Sequence, residues 1–174
     1  MHAVHTLSMK THPASAQPAV AGPLAPAPIA TMLASARSLQ AAQRAGATRP
    51  SLKGRIFAVL CAAEEQDRVD VAMIDHAATE LGARVALIRP HLTEGSDPHT
   101  VELTGQMLGR LYSAVVCLEI APALSQRLSA VAGIPILAGL DDPGHPVSQV
   151  TELLGGAADD RKFALQAMLL RSVV

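Results

Sequence analysis

The chain has 174 residues, 49% of them apolar, 17% charged and 2% aromatic, with 14 Lys and Arg against 15 Asp and Glu. That length suits one domain with a sizeable core, and no apolar run approaches the roughly 18 residues of a membrane span. A net charge of −1 argues against a nucleic-acid partner, and so few rings leave little for stacking on bases or sugars.

Two cysteines, Cys61 and Cys117, are too few for a disulfide scaffold or a structural zinc site; both lie in apolar runs and read as buried, inert thiols. Charge is unevenly spread: six basic residues and no acidic one precede Glu64, and eight basic and fifteen acidic residues follow. Residues 1–28, rich in Ala, Pro, Ser and His without apolar period, read as a disordered tail. Pro13, Pro18, Pro23, Pro26 and Pro28 argue against a secretory signal, and the lack of arginine before Arg37 against a transit peptide. A cytoplasmic protein is the expectation.

Regular structure is expected from about residue 30. Thr31 is a candidate N-cap for a helix carrying Met32, Leu33, Ala36, Leu39 and Ala42 and stopping at Gly46. Ile56 to Cys61 is a short continuous apolar run, as in a strand covered on both faces. A helix over 68–81 ends at Gly82; strand 84–88 and loop 90–98 follow. Helix 99–110, strand 114–118, helix 122–132, strand 134–137 and helix 146–154 complete the series. Strands alternating with helices predict βαβ units, hence an α/β fold with a four-stranded parallel sheet between helical layers. Ligands in such folds bind at the carboxyl ends of the strands.

An ordered set of segments then carries a resemblance: Leu52-Lys53-Gly54, Leu81-Gly82-Ala83-Arg84-Val85, Leu108-Gly109-Arg110-Leu111-Tyr112, Gly133-Ile134-Pro135-Ile136, Gly139-Leu140, His145-Pro146 and Glu152-Leu153-Leu154. Over residues 30–155 the chain resembles the carbamoyl-phosphate-binding domain of the aspartate/ornithine carbamoyltransferase family, closest to the ornithine type. The resemblance implies a first domain (29–156) that makes the catalytic trimer, with no room for the amino-acid domain. Residues 160–170 are similar to the family's C-terminal helix, so 157–174 is expected to pack back on the first domain through an apolar face of Phe163, Met168 and Leu169/Leu170.

The resemblance also tests the chemistry position by position. Where the family has Ser-Thr-Arg-Thr-Arg at a helix N-terminus to hold phosphate, this chain reads Ala63-Glu64-Glu65-Gln66-Asp67-Arg68. A like charge at 4 Å costs about 4 kcal/mol at an effective dielectric of 20, so three carboxylates there disfavour a phosphate dianion; a solvated acidic helix cap is the plainer reading. A Lys-Glu-Ser-x-Lys-Asp-Thr-like run aligns with Pro98 to Thr104, its lysines replaced by Pro98 and Glu102. An arginine just past the third strand aligns with Leu118, before Glu119. His-Pro-Thr-Gln aligns with His145-Pro146-Val147-Ser148-Gln149: His145 matches, whereas Gln149 is shifted by one residue, a turn of about 100° on a helix. Losing one oxyanion donor costs about 10²–10³-fold, and several are missing.

The reading is therefore a non-catalytic relative with vestigial His145 and Gln149 and no metal site or cofactor. His76, His91 and His99 lack ligand spacing, Asp141 to Gly144 is a turn, and there is no Walker loop, Gly-x-Gly-x-x-Gly or nucleophile elbow. Such a protein is expected to act as a homo-oligomer, a trimer by the resemblance, or as a structural or regulatory subunit with an active carbamoyltransferase. The alternatives are a small-anion or carbamoyl-phosphate module centred on Arg68, Arg110 and His145, or transferase activity with a separately encoded second domain.

Overall fold

The computed structural model describes residues 26–61 and 69–173. The expected tail up to residue 25 and the acidic loop 62–68, with Arg68, lie outside the described residues.

Ten elements follow in order: α1 (Pro26–Arg44), β1 (Ile56–Cys61), α2 (Val69–Glu80), β2 (Arg84–Ile88), α3 (Pro98–Leu111), β3 (Ala114–Leu118), α4 (Pro122–Ala132), β4 (Ile136–Leu137), α5 (Pro146–Leu154) and α6 (Ala158–Val173). The four strands form one parallel sheet in the order β2-β1-β3-β4, with helices on both faces. The α/β architecture, the strand count and the returning last helix are those expected from the sequence.

Alternation along the buried strands sorts their side chains between two cores. Phe57, Val59 and Cys61 of β1 and Ala114, Val116 and Leu118 of β3 pack into the larger core, with residues of α1, α2, α5 and α6. Ala58, Leu60, Val115 and Cys117 face the other way, against Val101, Leu108, Leu124 and Leu128 of α3 and α4. Both thiols are buried, on opposite faces, and burial pushes the Cys117 thiol up to about 12, as expected for inert cysteines.

Three expectations are corrected. The first helix begins at Pro26, so Thr31 lies inside it and is not its N-cap; proline fits the first turn of a helix, where its missing N–H has no partner to lose. The last strand is confined to Ile136–Leu137, although the Pro135 carbonyl still accepts the Val115 N–H at 2.9 Å. Nor does α6 show one apolar face. Every residue from Lys162 to Leu169 is buried, because the helix lies among α1, α2 and α5.

Two polar side chains inside that packing find partners. The Lys162 ammonium lies 3.2 Å from Glu80 and donates to the Gln43 amide oxygen at 3.0 Å; it also sits 4.8 Å from the centre of the Phe163 ring. Gln166 donates to Glu80 at 2.8 Å and to the Ala77 carbonyl at 3.3 Å. On the other layer, α3 starts at an Asp97 cap that accepts the Thr100 N–H at 2.9 Å. Farther along, Gly105 and Gly109 let α4 approach closely: a Cβ on Gly109 would stand 1.9 Å from the Ala132 carbonyl oxygen.

Candidate functional site

The strand order reverses direction between β1 and β3, so the carboxyl ends of those two strands mark the crevice where a ligand is expected. Segment 62–68, which leaves β1, lies outside the described residues. The segment leaving β3 turns sharply, with Glu119 at φ +53°, a conformation costing a non-glycine residue about 1–2 kcal/mol. Beside it an open groove of about 390 Å³ is lined by Leu92, Glu94, Glu119, Ile120 and Leu124 among others. Its β2–α3 wall is pinned by Arg127 of α4, which donates to the carbonyls of Glu94 (2.9 Å) and Ser96 (2.7 Å). The groove offers an apolar floor and carboxylates.

The turn between β4 and α5 forms the other half of this end of the sheet. It is closed by its own bonds: the Asp142 N–H donates to Gly139, the His145 N–H to the Asp142 carbonyl, and the Gly144 N–H to the Asp142 carboxylate at 2.7 Å. The Ser148 hydroxyl donates to the Asp142 carbonyl at 3.0 Å. His145 is the N-cap of α5; its Nδ1 accepts the Val147 N–H at 3.1 Å. Burial pushes the imidazole below its ordinary value and the nearby Arg161 acts in the same sense, against an opposing pull from Asp142. An accepting Nδ1 in a neutral ring leaves the proton on Nε2, a donor that could polarise a carbonyl. The Gln149 amide is instead tied back to the Gly144 carbonyl at 2.8 Å.

Arg161, which the sequence did not single out, reaches this end from α6. Its guanidinium lies 3.7 Å from Asp70 at the start of α2, 3.8 Å from Asp141 and 3.4 Å from the Leu140 carbonyl. The only local hint was an arginine in the first turn of a helix, where the dipole disfavours a cation; its carboxylate partners lie far away in sequence. Arg110 stands apart. It occupies the last turn of α3, two residues before Tyr112 and three before Ser113, whose N–H donates to the Ile56 carbonyl at the start of β1. That is the amino edge of the sheet, so Arg110 and His145 do not share a site, and the expected grouping of the two as one ligand centre is corrected. Among the described residues no three His, Cys, Asp or Glu side chains gather as a metal site, and no helix is long and apolar enough to cross a membrane.

The His145 cap makes a testable expectation about pH. A lowered folded-state value means that the unfolded chain binds the proton more readily, so stability rises with pH. The contribution is complete above the ordinary imidazole value of 6.5 and is lost as pH falls through the lower folded value. His145→Asn keeps a capping side chain and removes the titration. Urea unfolding between about pH 7.5 and pH 5 should lose stability more steeply in the parent than in the variant; equal slopes would exclude this role.

No family model matches the chain. Among curated proteins it is similar to the ornithine carbamoyltransferase of Haemophilus influenzae (strain PittGG), with 28% identity over 118 residues, 68% of this chain and 35% of the relative. It is likewise similar to the catabolic ornithine carbamoyltransferase of Pseudomonas putida, with 27% identity over 118 residues, 68% of this chain and 34% of the relative. Among solved structures, ornithine carbamoyltransferase from Pyrococcus furiosus superposes with a TM-score of 0.60 at 18% identity, covering 72% of this chain and 40% of that one. The catalytic subunit of M. jannaschii aspartate transcarbamoylase gives 0.59 at 16% identity, covering 75% and 42%. The curated relatives are thus ornithine carbamoyltransferases, the fold is shared with ornithine and aspartate carbamoyltransferases, and the chain spans about a third of the length of the curated relatives it matches.

Proposed function

We propose that this chain is a non-catalytic carbamoyltransferase-like domain that acts by association, either with copies of itself or as a structural or regulatory subunit of an active carbamoyltransferase. The observation that carries the reading is the commitment of Arg161. Transfer of a carbamoyl group from its phosphate needs cations free to hold the leaving group and donors for the developing oxyanion. Here the guanidinium beside the α2 and α5 N-termini is shared by the chain's own Asp70 and Asp141. Asp142 adds negative charge beside His145, and Gln149 bonds its own turn.

Incubation with carbamoyl phosphate and either ornithine or aspartate should give no citrulline or carbamoyl-aspartate above background, and calorimetric titration with carbamoyl phosphate no heat. In sedimentation or light scattering the particle should exceed the 18.0 kDa of one chain. Turnover, alone or with a separate second-domain partner, would overturn the non-catalytic reading. Heat without turnover would favour an anion-binding module.

A further inference from the structure

The outer face of α3 carries a pattern that neither core uses. Val101, Gly105 and Leu108 face inward, whereas Leu103, Met107 and Leu111 are 54%, 49% and 57% exposed. These three are spaced by four residues and form a single ridge, the row that interdigitates in the commonest helix–helix crossing. Beside it runs a second row of the same spacing, Glu102, Gln106 and Arg110, also exposed. Gln106 donates to the Glu102 carboxylate at 3.1 Å, holding that group on the row. The row is therefore negative at one end, neutral in the middle and positive at the other.

Such a row is complementary to itself when reversed. If two copies of α3 meet antiparallel about a two-fold axis near Met107, Leu103 of each copy comes against Leu111 of the other. On the flank, each Glu102 then lies toward the Arg110 of the other copy, and the two contacts are identical by symmetry. In a parallel two-fold pair the two rows would fall on opposite flanks of the contact, and these charges would not meet. We propose that the α3 face is a self-association surface, its occupant a second copy of this chain in antiparallel orientation. The proposal rests on the self-association arm of the functional reading above and gives that arm a surface. It also gives Arg110, at the amino edge of the sheet, a place in a contact between copies.

One helix face is smaller than a standard interface, so the pairing is expected to be weak and concentration-dependent. Sedimentation equilibrium on the full chain up to about 0.5 mM should show a monomer–dimer equilibrium. Arg110→Glu and Glu102→Arg, each placing two like-charge contacts in the symmetric pair, should each weaken it about tenfold or more. The double exchange, E102R with R110E, should restore it, and Leu103→Glu should abolish it. All three positions are exposed, so far-UV circular dichroism and melting should match the parent. A chain that stays monomeric throughout overturns both this surface and self-association. A dimer or trimer that ignores these substitutions, or a double exchange that rescues nothing, overturns the α3 assignment alone and leaves self-association standing.

Discussion

Replacing Gly109 by alanine should lower stability by about 3 kcal/mol, the upper end of the usual cost of overpacking, which for a domain of this size lowers the melting temperature by about 6–12 °C. The added methyl group would stand 1.9 Å from the Ala132 carbonyl oxygen. That oxygen belongs to the backbone at the end of α4 and cannot rotate aside as a side chain would. Relief requires α3 and α4 to separate, and separation opens the core formed by Val101, Leu108, Leu124 and Leu128. Gly105, one turn earlier, is a useful comparison: its added methyl would meet Val131 Cγ2 at 2.4 Å, a side-chain atom with freedom to move. Gly105→Ala should therefore cost less than Gly109→Ala in parallel thermal melts. The reverse order would mean that the helices do not pack through Gly109.

The second large effect is expected at Glu80. Its carboxylate receives Lys162 and Gln166 from α6, and His76 lies 3.2 Å away on its own helix. Lys162 is 6% exposed, so Glu80→Ala leaves an ammonium inside the packing with, among the described residues, the Gln43 amide and the Phe163 ring as its remaining partners. Removing one partner of a buried pair typically costs about 3–5 kcal/mol, and because the Glu80 carboxylate is partly exposed the loss here should lie toward the lower end of that range. Replacing both charges, Glu80→Met with Lys162→Met, should recover much of that loss, because two apolar side chains need no partner there. Urea unfolding of the two single variants and the double gives the coupling directly. Additive losses would show that Lys162 and Glu80 do not depend on each other.

These two sites also mark where sequence reading succeeds and where it stops. The helix carrying Gly109 and the strands on either side of it were legible because their apolar spacing is local. So was the parallel sheet, from the alternation of short buried runs with helical periods. The surroundings of α6 were not legible in this way. Phe163, Met168 and Leu169 suggested one apolar face, yet Lys162 and Gln166 are as deeply placed as their neighbours. Their burial depends on Glu80 and Gln43, some 80 and 120 residues away in the chain, and no periodicity records such a partner. Arg161 escaped notice for the same reason. Arg110 is a different case: a helix that follows one parallel strand runs back to the start of the next, so the topology alone already placed it at the edge away from His145. At the N-terminal side, Pro26 and Pro28 looked like tail composition and prove compatible with a helix start.

The packing of α6 against α1 has a consequence for how the chain acquires its fold. Met32 and Ala36 of α1 share one core with Phe163, Ala164 and Leu169 of α6, and the Arg55 guanidinium, just before β1, donates to the Val173 carbonyl. The first described helix thus has no complete cover until the last one has been synthesised. Contacts this distant in sequence make folding slow relative to a locally connected bundle. During translation the larger core must wait, its α1, α2 and α5 surfaces open to solvent or chaperone. The α3–α4 layer, closed by neighbours in sequence, is free to pack earlier.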